Sequence, residues 1–249
     1  MSIVVENVTF QSEGFALLGR VYRPAPEGRY PAVAICHGYP GDTKNMDLAE
    51  ELALNGFAAL VFYYQGAWGS KGAYRFTKLE PSTRDAVAYL RTLPFVDADR
   101  VGLVSHSMGA LPLVKRLSLD PRLKAGALMA PVSDISLWTN GDAIETVIPH
   151  FIESGRGKLE GMTAEQLRSD LKETTVMGNP VDLVKDVKAP LMIVVGSEDD
   201  VTPPEFCKAL YERAREPKRW VLIEKADHGF SEYRIPLIRA VLDWFKITV

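Results

Sequence analysis

Short, near-continuous apolar runs alternate with stretches of helical period along most of this 249-residue chain. Tyr30–Cys36 reads YPAVAIC, an apolar run with no polar alternation. Such a run suits a strand buried on both faces, which in turn demands a mostly parallel sheet with helices packed on each side. Comparable strands are expected at Phe57–Tyr63, Val101–Val104, Ala125–Met129, Pro190–Val195 and Trp220–Ile223. Helices are expected at Met46–Leu54, Pro81–Leu93, Met108–Leu117, Pro204–Ala214 and Pro236–Phe245. Ile3–Phe10 and Phe15–Tyr22, around the Gln11–Gly14 turn, read as an antiparallel hairpin leading into the sheet. The pattern predicts an α/β fold with a mostly parallel central sheet.

The alternation stops between residues 137 and 183, where no strand signal is found. Ile144, Val147, Ile148, Phe151 and Ile152 follow helical spacing, and Pro149 is expected to kink or break that run. Thr163 and Gln166 form a capping box opening a second helix, with Leu167 and Leu171 on one face. The expected organisation is a core domain of residues 1–136 and 184–249 carrying a helical lid insertion at 137–183. Trp138, Ile148, Phe151 and Met177 then either wall a substrate pocket or form the insertion's own small core.

The sequence Ser105-His106-Ser107-Met108-Gly109 joins an apolar strand to a helix. A serine there, with small residues two before and two after it, fits a strained strand-to-helix turn that presents Ser107 as a nucleophile at a helix N-terminus. The alternative role for Ser107 is a simple helix cap. Ser70, in Trp68-Gly-Ser70-Lys-Gly72, follows a bulky flank and reads as part of a Gly-rich loop.

A nucleophilic serine needs a base, and the chain has only four histidines. His228 lies between the last expected strand and the last helix, at the C-terminal edge of the sheet where Ser107 is also expected. His37 reads as a structural histidine holding the loop after its strand. His150 falls in the insertion, and the His106 side chain is expected to point away from the site. The acid should lie between Ser107 and His228. Asp199, in the loop after Pro190–Val195, fits best, with Asp134 as its rival and Glu198 and Asp200 as weaker candidates. Two backbone N–H groups are expected to meet a developing oxyanion: that of Met108, and that of Tyr39 in His37-Gly38-Tyr39-Pro40-Gly41.

In order and spacing these loops resemble the α/β-hydrolase superfamily over nearly the whole chain. The His-Gly-aromatic-x-Gly loop and short helical insertion look most similar to small serine carboxylesterases of the cinnamoyl/feruloyl esterase-like group. Prolyl-oligopeptidase-like catalytic domains and dienelactone hydrolases also resemble it. The chain departs from that pattern at Tyr63-Tyr64-Gln65-Gly66, where Asp-Tyr-Arg-Gly is common. The resemblance implies an ester hydrolase working through an acyl-enzyme. A peptidase, a thioesterase and a non-catalytic ligand receptor on the same fold are the alternatives. Dehalogenases and epoxide hydrolases use Asp as nucleophile and dienelactone hydrolases typically Cys, so Ser107 argues against all three. Prolyl-oligopeptidase-like peptidases usually carry an N-terminal propeller, for which 249 residues leave no room.

The formal net charge of −3, without a dense Lys/Arg run, argues against nucleic acid as a partner. A small-molecule ester is the expected partner. No signal peptide or membrane span is expected, so the expected location is the cytoplasm. Cys36 and Cys207 read as two reduced thiols. No His/Cys/Asp cluster has metal-ligand spacing, so no metal or cofactor is expected. A homodimer is compatible with the sequence, which does not set the oligomeric state.

Overall fold

The computed structural model describes residues 2–249; Met1, where the expected core domain begins, lies outside the described residues. Ten-residue strands β1 (Ile3–Ser12) and β2 (Phe15–Pro24) form the antiparallel hairpin. Next come β3 (Tyr30–Cys36), helix α1 (Met46–Leu54), β4 (Ala58–Phe62), α2 (Leu79–Thr92), β5 (Val96–His106), α3 (Ala110–Leu119) and β6 (Leu123–Met129). Four helices follow without an intervening strand: α4 (Ser136–Thr139), α5 (Ala143–Gly155), α6 (Ala164–Met177) and α7 (Pro180–Leu183). The chain then runs through β7 (Leu191–Gly196), α8 (Pro204–Arg213), β8 (Lys218–Ile223) and α9 (Arg234–Thr248).

The strands form one eight-stranded sheet in the order β1-β2-β4-β3-β5-β6-β7-β8. β2 pairs antiparallel with β1 and β4, and all pairs from β4 to β8 are parallel. The alternation of side chains along each strand divides the core in two. Ala32, Ala34 and Cys36 of β3 pack with α2, α3 and the insertion, whereas Val33 and Ile35 pack with α1 and α9. Both faces are thus dry, which is why the strands read as continuous apolar runs.

Several boundaries differ from expectation. β5 begins at Val96 rather than Val101: Val96 already pairs with Tyr30, but the register with β3 shifts before Val101, and half-buried Asp97 with exposed Asp99 and Arg100 interrupts the apolar signal in between. α9 is longer at both ends than Pro236–Phe245. α5 continues through Pro149 unbroken. The proline deprives the carbonyl of Glu145 of its helical donor, but both residues are exposed and water can serve that carbonyl. Thr163 caps α6 as expected, its hydroxyl accepting from the Gln166 N–H at 3.3 Å. Leu167 and Leu171 are buried beneath that helix.

Ser105 in β5 sits two residues before the strand-to-helix turn, fully buried, with a hydroxyl that meets no partner. A buried unpaired hydroxyl costs about 1–3 kcal/mol. Ser105→Ala should therefore stabilise the fold by about 1 kcal/mol, raising Tm by roughly 2–4 °C in thermal unfolding. An unchanged or lower Tm would show that the hydroxyl is satisfied in solution.

Candidate active site

The turn after β5 is set by close packing. Ser107 has φ +53°, the left-handed region that a non-glycine residue occupies only where its surroundings enforce it. A single 3₁₀ turn, Ser107–Gly109, leads into α3. A Cβ on Gly109 would stand 2.4 Å from the Cys36 carbonyl oxygen and 2.9 Å from that of His37. A Cβ on Gly38 would meet the Ser107 Cβ at 3.0 Å. The loop after β3 therefore lies directly against Ser107, and glycine at these two positions permits the approach.

His228 follows β8 in the loop before α9, and Asp199 follows β7. The Nδ1 of His228 lies 3.0 and 2.9 Å from the two carboxylate oxygens of Asp199. Asp199 also accepts from the N–H groups of Val201 and Thr202 at 2.9 and 2.8 Å. Burial pushes this carboxyl upward, yet the hydrogen bonds from His228 and Thr202 prevail and hold it below the usual Asp range. Asp134 instead accepts from the Ser136 N–H in its own turn. Glu198 and Asp200 are exposed.

Thr202 was not singled out from sequence. Its hydroxyl oxygen lies 2.8 Å from Asp199 Oδ2, 3.1 Å from the Ala130 carbonyl and 3.2 Å from His228 Nδ1. The Asp-x-x-Thr spacing, which puts a hydroxyl three residues beyond Asp199, is the signal that could have found it.

His106 departs from expectation. Its ring does not leave the site but packs against His228, with centroids 5.0 Å apart, and its Nε2–H donates to the His228 carbonyl at 2.8 Å. The return of the loop after β8 brings this partner to it. His37 braces the loop after β3, its Nδ1–H donating to the Gly38 carbonyl at 2.7 Å and its ring packed on Tyr64. Ser70 is structural, accepting from the Leu18 N–H and donating to the Tyr63 carbonyl. In the departing loop, Gln65 Nε2 donates to the Ala73 carbonyl.

Ser107 and His228 open onto one cavity of about 520 Å³. Tyr39, Met108, Trp138 and Phe151 share its wall, with Val147, His150 and Lys158. A cavity of this size suits a small organic ligand. Two sequence candidates are elsewhere. Ile148 is buried in the core behind the cavity wall. Met177 ends α6 and borders a separate cleft with Phe76 and Leu111. Helical period identified the apolar face of α5 but could not separate residues that reach the cavity from those beneath it. Cys36 and Cys207 are both free and buried. Among the described residues, no group of three or more His, Cys, Asp or Glu could hold a metal ion, and no helix is long and apolar enough to cross a membrane.

Burial pushes both His37 and His106 down to about 4 from the ordinary 6.5. The unfolded chain takes up these protons first, so the stability present above pH 6.5 is lost progressively as pH falls toward 4. Denaturant unfolding at pH 7 and pH 5 should show a loss on the order of 2 kcal/mol from each buried ring. A pH-independent midpoint across this range would contradict it.

The chain is similar throughout its length to known proteins. The model of the prolyl oligopeptidase family matches residues 77–249. The uncharacterized protein Rv2307c of Mycobacterium tuberculosis is 26% identical over 231 residues, covering 92% of this chain and 73% of its relative. Est1E from Butyrivibrio proteoclasticus, in a structure with ferulic acid bound, superposes with TM-score 0.76 at 20% identity, covering 97% of this chain and 98% of that one. DcsB, in complex with a substrate analogue, gives TM-score 0.80 at 17% identity, covering 99% of both chains. The low identity to these two structures concerns the fold, whereas the family match spans the strand-to-helix turn and the loops that carry Asp199 and His228. The chain belongs to the prolyl oligopeptidase family and has the α/β-hydrolase fold.

Proposed function

We propose that the protein is a serine hydrolase that cleaves carboxylic esters through an acyl-enzyme on Ser107. The observation that carries this reading is the pairing of His228 with both carboxylate oxygens of Asp199, at the edge of the cavity that Ser107 lines. With its Nδ1–H directed to Asp199, neutral His228 keeps the Nε2 lone pair free to take the Ser107 proton. Ser107 Oγ attacks the ester carbonyl, and the resulting imidazolium, stabilised by Asp199, returns its proton to the departing alkoxide. Water then attacks the acyl-enzyme by the same route in reverse, releasing the acid and restoring Ser107.

The oxyanion is assigned to the N–H groups of Met108 and Tyr39. The His37 bond to the Gly38 carbonyl supports the second assignment. In a trans peptide the N–H points opposite to the C=O, so fixing the Gly38 carbonyl also fixes the direction of the Tyr39 N–H. Its burial keeps His37 neutral at pH 7, with the proton on Nδ1.

The aromatic wall of Trp138 and Phe151 suits an ester with an apolar acyl or alcohol group. Residues 137–183 are assigned the role of pocket wall. The family match favours a second reading, cleavage of short peptides. Its chemistry would use the same groups, with the imidazolium protonating an amine.

Turnover of p-nitrophenyl acetate, butyrate and octanoate and of methyl ferulate is expected for the wild type. Folded Ser107→Ala should lose at least about 10⁴-fold in kcat. Wild-type protein inert on every ester but active on a proline-containing p-nitroanilide would transfer the assignment to the peptidase reading. Thr202→Val, which removes one donor to Asp199, should lower kcat/KM roughly 3–10-fold, the equivalent of about 1 kcal/mol. Wild-type kcat/KM in that variant would exclude Thr202 from support of the acid.

A further inference from the structure

Tyr39 has two polar ends with separate tasks. Its main-chain N–H is the second oxyanion donor in the reading above, on which this inference rests. Its hydroxyl reaches away from Ser107 into the insertion, donating to the Phe151 carbonyl inside α5 and lying 3.6 Å from Met162 Sδ. One turn further along α5 stands Gly155, where a Cβ would come within 2.7 Å of the Tyr39 hydroxyl and 3.1 Å of Leu159 and Met162. The helix thus carries glycine where the phenol enters. The ring is gripped edge-on by Phe151, with centroids 4.6 Å apart, and packs on Phe76 at 5.7 Å. Burial pushes the phenol's ionisation upward, so it stays a donor at neutral pH.

The rest of the loop is tied to the same segment. Trp68 Nε1 donates to the Pro40 carbonyl at 2.8 Å, while the Trp68 main-chain N–H donates to the Lys158 carbonyl at 2.8 Å. Lys158 Nζ in turn pairs with Asp42 at 2.7 Å. The Glu160 N–H donates to Gly66, and the Tyr74 N–H to Glu160. The turn between α5 and α6 is therefore stitched both to the loop that carries Tyr39 and to the segment that follows β4.

We propose that Tyr39 is a positioning residue: its hydroxyl fastens the oxyanion loop to α5, so that the insertion holds the Tyr39 N–H in place instead of swinging over it as a free lid. Displacing this anchor leaves the cavity wall and Ser107 present but lets the donor N–H drift. The ground-state ester, which needs the oxyanion donors less than the tetrahedral intermediate does, should bind nearly as before.

The test combines steady-state hydrolysis of p-nitrophenyl butyrate with hydrogen exchange on the full chain. Tyr39→Phe keeps the ring and removes only the hydroxyl. Gly155→Ala keeps the hydroxyl and pushes it aside. Both should lower kcat tenfold or more with KM within twofold of wild type, and speed amide exchange in residues 37–42 and 143–155 together. Wild-type kcat in folded Tyr39→Phe, or a loss confined to KM, would overturn the proposal. So would a lowered Tm with kcat intact, which marks a purely structural hydroxyl. A wild type inert on this and every other ester would remove the ester-hydrolase reading and this role in it, whereas an active wild type with an unaffected Tyr39→Phe removes this role alone.

Discussion

The arrangement depends on one tight contact: the end of β5 turns into α3 directly beneath the loop that leaves β3. Ser107 is held at φ +53°, a strained state that nothing local favours. It is maintained because Gly109 passes the carbonyls of Cys36 and His37 at distances that exclude a side chain, and Gly38 passes Ser107 with little room for one. Two neighbouring parallel strands supply the rigidity, since β3 and β5 remain paired up to Cys36 and Ser105. Strain at the turn is thus offset by ladder hydrogen bonds and a core that is dry on both faces.

From that contact the other groups are placed by topology. Loops after β7 and β8 emerge at the same edge of the sheet as the Ser107 turn and the loop after β3, because the strands from β4 to β8 in the sheet are parallel. Asp199 and His228 meet there although they lie 29 positions apart in sequence. Hydrogen bonds then hold His228 at two points: Asp199, with Thr202 beside it, meets the imidazole at Nδ1, and His106 donates to the His228 main-chain carbonyl.

How much of this could be read from the sequence follows from the range of each interaction. Strand and helix order was legible because burial on two faces leaves uninterrupted apolar runs such as Tyr30–Cys36. The strand-to-helix turn was legible because its steric demand falls on residues close in sequence, Ser105 and Gly109. The start of β5 was hidden, since the polar stretch Asp97 to Arg100 separates Val96 from the apolar run and falls where the pairing with β3 shifts register. Whether Ile148 and Met177 wall the pocket or fill a core was left open by the sequence, because helical period gives the buried face of a helix but not what it is buried against. The roles of His106 and Thr202 depend on loops that converge only in three dimensions, and no local pattern reports that convergence. The anchorage of Tyr39 in α5 spans 112 positions and was equally invisible.

The account's central claim is that His228 and Asp199 activate Ser107 as a nucleophile. Its most direct test is covalent modification by a fluorophosphonate, followed by intact-mass measurement and peptide mapping. One label per chain, located on Ser107 and formed at least about 100-fold more slowly in folded His228→Ala, is the expected result. A folded wild-type protein that takes no label, or takes it at another residue, would contradict the claim.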